Sequence, residues 1–146
     1  MPGQKRNQKE RHMKNKFLKN IWALVLGFLI TVVLTVITDL ILAKSGIMKT
    51  NPFSDNPVWL IVVIIIYRAI YGITGSYFTA KFAAMRPLRL AMIGGYIGLV
   101  LSIVGLATHW DIPPHWYGIA VALIALPCAW TGGKLFESKN KTVYHG

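Results

Sequence analysis

The sequence predicts an all-α integral membrane protein, a four-helix bundle that crosses the bilayer four times with both termini in the cytoplasm. Two features of composition and one of charge predict this class. Of the 146 residues, 54% are hydrophobic and only 14% are charged, whereas soluble domains carry about 25% charged residues. The apolar residues form long blocks, and a helix needs about 20 of them to cross the bilayer core. Lysine and arginine are concentrated in the polar stretches that lie on one side of the predicted membrane.

The chain begins with a basic leader, residues 1–16, which contains almost nothing to bury. Such a composition predicts a disordered or loosely helical segment on the membrane surface. Basic residues next to a membrane helix favour anionic lipid headgroups, at about 1 kcal/mol for each one near the surface. No aromatic residue interleaves with the charge before Phe17, so we expect no nucleic-acid partner.

The membrane domain spans residues 17–137, and residues 138–146 form a short cytoplasmic tail. Each apolar segment is long enough to cross about 30 Å as a helix, which satisfies its own backbone polar groups. The first apolar run has 23 residues and exceeds the roughly 7–15 residues of a signal-peptide core, so we expect an uncleaved anchor. Proline precedes the other three segments and suits a first helical turn. The four predicted segments are residues 21–43, 58–80, 88–108 and 116–136.

The basic residues predict the orientation of these segments. Thirteen of the sixteen lie before the first apolar segment, at or beside the second loop, or near the carboxyl end, and the third loop contains none. The first loop has only Lys44 and Lys49, while Arg68 lies within the second segment. Because basic loops stay in the cytoplasm, we expect both termini there, in a bacterial inner membrane.

Arg68 lies near the middle of the second segment, where an unpaired charge costs about 2.5–3.5 kcal/mol. Asp39, in the first segment, is the acid closest to that depth. Side chains lean toward the N-terminus of their helix, so Asp39 and Arg68 lean toward each other in antiparallel neighbours. The sequence therefore predicts an ion pair that docks the first two helices.

Other polar side chains accompany this pair. Thr31, Thr35 and Asp39 form one stripe at intervals of four, and Tyr67 and Tyr71 flank Arg68, where they fill space or form hydrogen bonds. Three readings remain open for Arg68. It can be structural, it can line a substrate, ion or proton pathway in an oligomeric transporter or channel, or it can reach lipid phosphate.

Two stripes of small residues predict where helices approach closely. They predict contact between the second and third helices, within one molecule or between subunits, and so allow a homo-oligomer or a membrane-protein partner. The stripes are Gly72, Ser76 and Ala80 in the second segment, and Gly94, Gly98 and Ser102 in the third.

The third loop contains His109, Asp111 and His115. Their spacing matches no zinc motif, and an interfacial loop among lipid headgroups is the simpler interpretation; a metal or catalytic site is the alternative. No phosphate-binding loop, CxxC pair, HExxH or GxSxG motif is present in the sequence. We therefore predict no cofactor, no metal and no catalytic residue.

Two runs carry a resemblance, FTAKFAAMRPLRLAMIGGYIGLVLSIVGLATHW and PPHWYGIAVALIALPCAWTGGKL. With the arginine of the second segment, they resemble a group of small bacterial inner-membrane proteins with four helices and no assigned activity. The resemblance implies fold and location. We expect a non-enzymatic scaffold or accessory subunit, with the transporter and the outer-loop enzyme as alternatives.

Overall fold

The computed structural model describes residues 2–108 and 114–141, and these residues form four α-helices and no strand. All four helices are long and apolar enough to cross a membrane. The prediction of an all-α fold with four helices of membrane-spanning length is confirmed. The helices are α1 (Pro2–Lys44), α2 (Val58–Phe82), α3 (Pro87–Thr108) and α4 (His115–Lys141), with a 3₁₀ turn at Phe53–Asp55 between α1 and α2.

The predicted starts of the last three segments agree with the structure to within one residue, but the basic leader differs. Residues 2–16 were expected to be disordered or loosely helical, and the structure has them as the first part of α1. Lysine, arginine, glutamine and methionine are good helix formers. The apolar part of α1 supplies the costly nucleus, so the helix can extend backward at little cost. Likewise, α4 continues to Lys141, into the predicted tail.

The connection between α1 and α2 is short and is held by several hydrogen bonds. Gly46 has a φ of 73° and ends α1 in the left-handed conformation that glycine adopts without strain. The Asn56 side chain is buried and donates to the carbonyls of Lys49 and Phe53, both at 2.8 Å. It also accepts from the Lys49 N–H at 2.8 Å. These bonds hold the segment over one end of the bundle.

The helices form a curved row in the order α1, α2, α4, α3. α2 packs against α4, α1 packs on α2 and α3 packs on α4, and α2 also makes the predicted contact with α3, which is less extensive. α1 and α3 contact each other only slightly, and within the described residues α1 does not contact α4. The row therefore has an open side between α1 and α3.

Glycines bring the neighbouring helices of this row into backbone contact. A Cβ atom on Gly27 of α1 would lie 2.5 Å from the Gly75 carbonyl oxygen of α2. A Cβ on Gly132 of α4 would lie 2.5 Å from the Ile73 carbonyl oxygen of α2. Such distances exclude any side chain, so each glycine determines how closely its helix pair approaches.

Candidate functional site

The polar centre of the bundle is the contact between Arg68 of α2 and Asp39 of α1. The Arg68 Nη2 donates to Asp39 Oδ2 at 2.8 Å. The Arg68 side chain is 32% exposed and the Asp39 side chain 26%, so the pair is largely enclosed by protein. The structure thus brings together the two charges that the sequence places deepest in the apolar segments.

Both flanking tyrosines bond to α1. The Tyr67 hydroxyl donates to Asp39 Oδ1, so the carboxylate is held by two partners on α2. The Tyr71 hydroxyl lies 2.8 Å from Thr38 Oγ1, and Thr31 Oγ1 donates to the Tyr71 carbonyl at 3.2 Å. Thr31 is thus part of the α1–α2 contact, one turn from Thr35.

Tyr117 of α4 completes the surroundings of Arg68. The guanidinium carbon lies 5.8 Å from the centre of the Tyr117 ring, within the range of a cation–π contact. The ring of Phe53, in the connection between α1 and α2, has its centre 5.2 Å from the centre of the Tyr117 ring. Met48, Leu60, Ile61 and Ile64 form a buried apolar cluster with Tyr117. This cluster separates Arg68 from the end of the bundle at which α2 begins.

Arg68 lies between two cavities. The smaller one, of about 290 Å³, lies beneath the segment between α1 and α2 and is also lined by Asp39, Thr50 and Phe53. The larger one, of about 390 Å³, is the open side between α1 and α3, with α2 and α4 as its floor. We call the larger cavity the α1–α3 groove. It extends from Arg68 to Leu24, whose side chain closes it against Gly94.

The two small-residue stripes lie in different packing environments. Gly72 and Ser76 face α4, because their nearest neighbours are Cys128 and Gly132. On α3, Gly94 faces Leu24 of α1, and a Cβ on Gly98 would meet no atom within 4 Å. Gly72 and Ser76 line the floor of the groove, and Gly94, Gly98 and Ser102 line its α3 wall. Ala80 is fully buried near the end of α2.

The outer-loop candidates are only partly within the described residues. His109 and Asp111 lie outside them, while His115 is the first residue of α4 and is exposed. Across the described ranges, no three histidine, cysteine or acidic side chains lie close enough to share a metal ion. The metal or catalytic interpretation of this loop stays a hypothesis.

The sequence interpretation missed three partners of this site. Thr38 was not singled out, and Tyr117 was noted only within the run that carries the resemblance, because an ordinary threonine and an aromatic residue near a helix end carry no distinctive pattern. Gly27 was also missed, since it is an isolated glycine in its segment. The spacing of Gly27, Thr31 and Thr38 at intervals of four and seven was the one available signal, because it places them on a single helical face.

The arrangement consists of a neutral ion pair with tyrosine and threonine hydroxyls, beside an apolar groove. It offers strong docking of α1 on α2 and a place for an apolar group. Comparison of the chain with protein-family models, curated proteins and solved structures found no match.

Proposed function

We propose that this chain is a non-enzymatic scaffold or accessory subunit of the bacterial inner membrane, with both termini in the cytoplasm. The charge of Arg68 is used within the bundle, where Asp39 and Tyr117 contact it. An arginine whose charge is neutralised by such partners serves to dock helices. Support for the orientation comes from the thirteen basic residues on one side of the membrane against two on the other.

We expect reporter fusions to give the cytoplasmic result at the carboxyl end. Green fluorescent protein fused after Gly146 should fluoresce, and alkaline phosphatase at the same point should be inactive. The matched control carries each reporter after Ser54, between α1 and α2, where the two results should invert. Active phosphatase after Gly146 would contradict the orientation.

The observation that carries the scaffold proposal is the exposure of α1. In its most apolar stretch only 11% of the residues are buried, against 28% in α4. The face that points away from α2 is apolar over five turns, and it is long enough for another transmembrane helix to pack against it. We call it the α1 outer face; it consists of Trp22, Val25, Leu29, Val33, Val36 and Leu40, each more than 40% exposed, and its last two members also border the smaller cavity.

A photo-crosslinking amino acid tests this face in living cells. We expect Leu29→p-benzoylphenylalanine to form a protein adduct of one defined mass, either a second copy of this chain or another membrane protein. Ile66 of α2 is a matched control, since it is also apolar and about equally exposed, 54% against 53% for Leu29. Lipid adducts alone at both positions would contradict a scaffold that works through α1.

The transporter alternative draws support from one observation, that Arg68 lines both cavities. A path from one cavity to the other would pass the ion pair, which would have to open during each cycle. Because α1 is one continuous helix from Pro2 to Lys44, only part of the basic leader can lie near the headgroups that we propose as its partner. Lys16 and Lys19 lie nearest the first apolar turn, and we expect these two residues to contact anionic headgroups.

A further inference from the structure

The first part of α1 extends beyond the helices that it packs against. In the membrane domain, the side of α1 that faces the bundle includes Ala23, which is fully buried, and Gly27, which is in backbone contact with α2. Nearer the amino end, the Asn20 side chain accepts from the Ala84 N–H at 2.9 Å, in the connection between α2 and α3. Residues 3–15 are all exposed, so over roughly 20 Å this side of the helix has nothing packed on it.

Basic side chains occupy this uncovered side of α1. At about 100° per residue they lie within an arc of roughly 60°, which also contains the direction of Ala23. With the other described residues they make no hydrogen bond, ion pair or ring contact. The other basic residues before Phe17 point in other directions around the helix. We call this set the leader stripe; it consists of Lys5, Lys9, His12 and Lys16.

The charges of the leader helix are arranged so that a negative partner would stabilise it. Lys5 and Lys9 are four residues apart, and like charges at that spacing repel each other on a helix surface. The amino end of a helix also carries a partial positive charge, and the first turn of α1 has no acidic residue to balance it. Carboxylates placed along the leader stripe would reduce both repulsions.

The membrane surface cannot supply this negative charge to the whole stripe. Lys19 lies just before the first apolar segment, and Lys9 and Lys5 precede it along the helix by ~15 Å and ~21 Å. Even for a helix tilted by about 40°, Lys9 would be ~11 Å farther from the bilayer than Lys19. Salt screens a charged surface within about 8 Å. The amino-terminal half of the stripe is therefore left for a partner in the cytoplasm.

The leader stripe suits an acidic protein better than a nucleic acid. Arginine is the residue that binds phosphate through two parallel hydrogen bonds, and both arginines of the leader, Arg6 and Arg11, lie off the stripe. No aromatic side chain before Phe17 is available to stack on bases. The intervals of four, three and four residues make the stripe straight along the helix, which is the spacing that a second helix packed alongside would follow.

We propose that the leader stripe docks an acidic helix of a cytoplasmic protein, one that presents aspartate or glutamate at intervals of three and four residues. This inference rests on the cytoplasmic position proposed for the leader, and it does not depend on the α1 outer face. A second copy of this chain does not fit as the occupant. On the cytoplasmic side each copy has thirteen basic residues against two acidic ones, Glu10 and Glu137, so two leaders would repel each other.

Reversing charge on and off the stripe tests this proposal. Lys5→Glu with Lys9→Glu changes the stripe, whereas Arg11→Glu with Lys14→Glu makes the same change in net charge on the other side of the helix and is the matched control. Glutamate is a good helix former and is favoured near the amino end of a helix. The leader should therefore stay helical in both double variants, and circular dichroism checks this.

The probe is a fluorescent, alanine-based helical peptide of about 20 residues with glutamate at intervals of three and four. It is titrated into the full-length protein in an uncharged detergent at about 0.15 M salt, where charges on the far side of the helix are screened. Fluorescence anisotropy reports binding. A second peptide of the same composition, with its glutamates distributed around the helix, controls for net charge.

We expect the stripe variant to bind the first peptide about ten-fold more weakly than the wild-type protein, and the control variant no more than about three-fold more weakly. The second peptide should bind the wild-type protein about five-fold more weakly than the first. Equal losses in the two double variants would overturn the proposal, because net charge alone would then account for binding.

Two further measurements decide between classes of partner. A single-stranded oligonucleotide that binds the wild-type protein more tightly than the first peptide would replace the acidic protein with a nucleic acid. Loss of peptide binding when the protein is moved into bilayers that contain phosphatidylglycerol would show that the leader stripe lies on lipid instead. Either result would overturn the proposal.

Failure of this proposal can be told apart from failure of the proposed orientation. Binding to the purified protein is the same whichever way the chain crosses the membrane, so equal losses in the two double variants would leave the orientation intact. The reporter fusions after Gly146 test the orientation separately. Active phosphatase there would place the leader outside the cytoplasm and would overturn a cytoplasmic partner even if the peptide binds as expected.

Discussion

Replacing either member of the Arg68–Asp39 pair with leucine is expected to destabilise the folded bundle by about 2–3 kcal/mol. Breaking a fully buried pair costs about 3–5 kcal/mol because the remaining charge has no partner. The cost is somewhat lower here because 32% of the Arg68 side chain and 26% of the Asp39 side chain are exposed. Asp39→Leu also removes the acceptor of the Tyr67 hydroxyl, so it should be the more damaging of the two changes.

The double variant distinguishes a true pair from two independent effects. Arg68→Leu with Asp39→Leu leaves no unpaired charge, so its loss of stability should be smaller than the sum of the single losses by about 2 kcal/mol. The free energy of unfolding is measured by titrating dodecyl sulfate into mild detergent micelles. Additive losses would mean that the two residues act separately.

The chain supplies a matched control pair at its surface. Lys49 and Asp55 approach to 4.0 Å, but their side chains are 64% and 51% exposed. Changing either of these residues to alanine should alter stability by no more than about 0.5 kcal/mol, as for most exposed ion pairs. A loss at Lys49 comparable to that at Arg68 would show that the unfolding assay responds to any loss of charge.

Gly27→Ala should separate α1 from α2 and destabilise the protein by about 3 kcal/mol or more, at the upper end of overpacking effects. Its Cβ would lie 1.8 Å from Thr79 Oγ1 and 2.5 Å from the Gly75 carbonyl oxygen. The threonine can rotate, but the carbonyl belongs to the backbone of α2 and cannot move without the helix. Gly75→Ala meets Thr31 and the Gly27 carbonyl in the same way and should have a similar effect.

Gly105→Ala provides the comparison, since its Cβ would enter open space on α3. It should be neutral or stabilise the helix by up to about 1 kcal/mol, because alanine is the better helix former. The same dodecyl sulfate titration measures these variants. If Gly27→Ala were as stable as Gly105→Ala, α1 and α2 would not be in backbone contact at this point.

Much of the architecture could be predicted because it depends on transfer free energies along the chain. The starts of α2, α3 and α4 follow from proline at the boundary of each apolar block. The contact of Arg68 with Asp39 could be anticipated because two opposite charges in apolar segments have few other means of avoiding the cost of desolvation. The leader was interpreted less well, since charge and low hydrophobicity favour disorder in isolation, whereas here an adjoining membrane helix extends through it.

The order of the helices could not be predicted, because several small-residue stripes have the same spacing. Gly72 and Gly98 look alike in sequence, yet one packs against Cys128 of α4 and the other borders open space. The pairing of Gly27 with Gly75 depends on which faces two helices happen to present, and local sequence does not encode this choice.

By itself, the sequence determined that this protein has four membrane-length helices, an unequal distribution of basic residues and two deep opposite charges. These are properties of single segments, and partition between water and lipid sets them residue by residue. Only the tertiary structure decided that α1 packs on one side alone, that a groove remains beside α3, and that Arg68 lies at its end. Those features arise from close packing between helices distant in sequence, where lipid offers little preference and the fit of small side chains selects the arrangement.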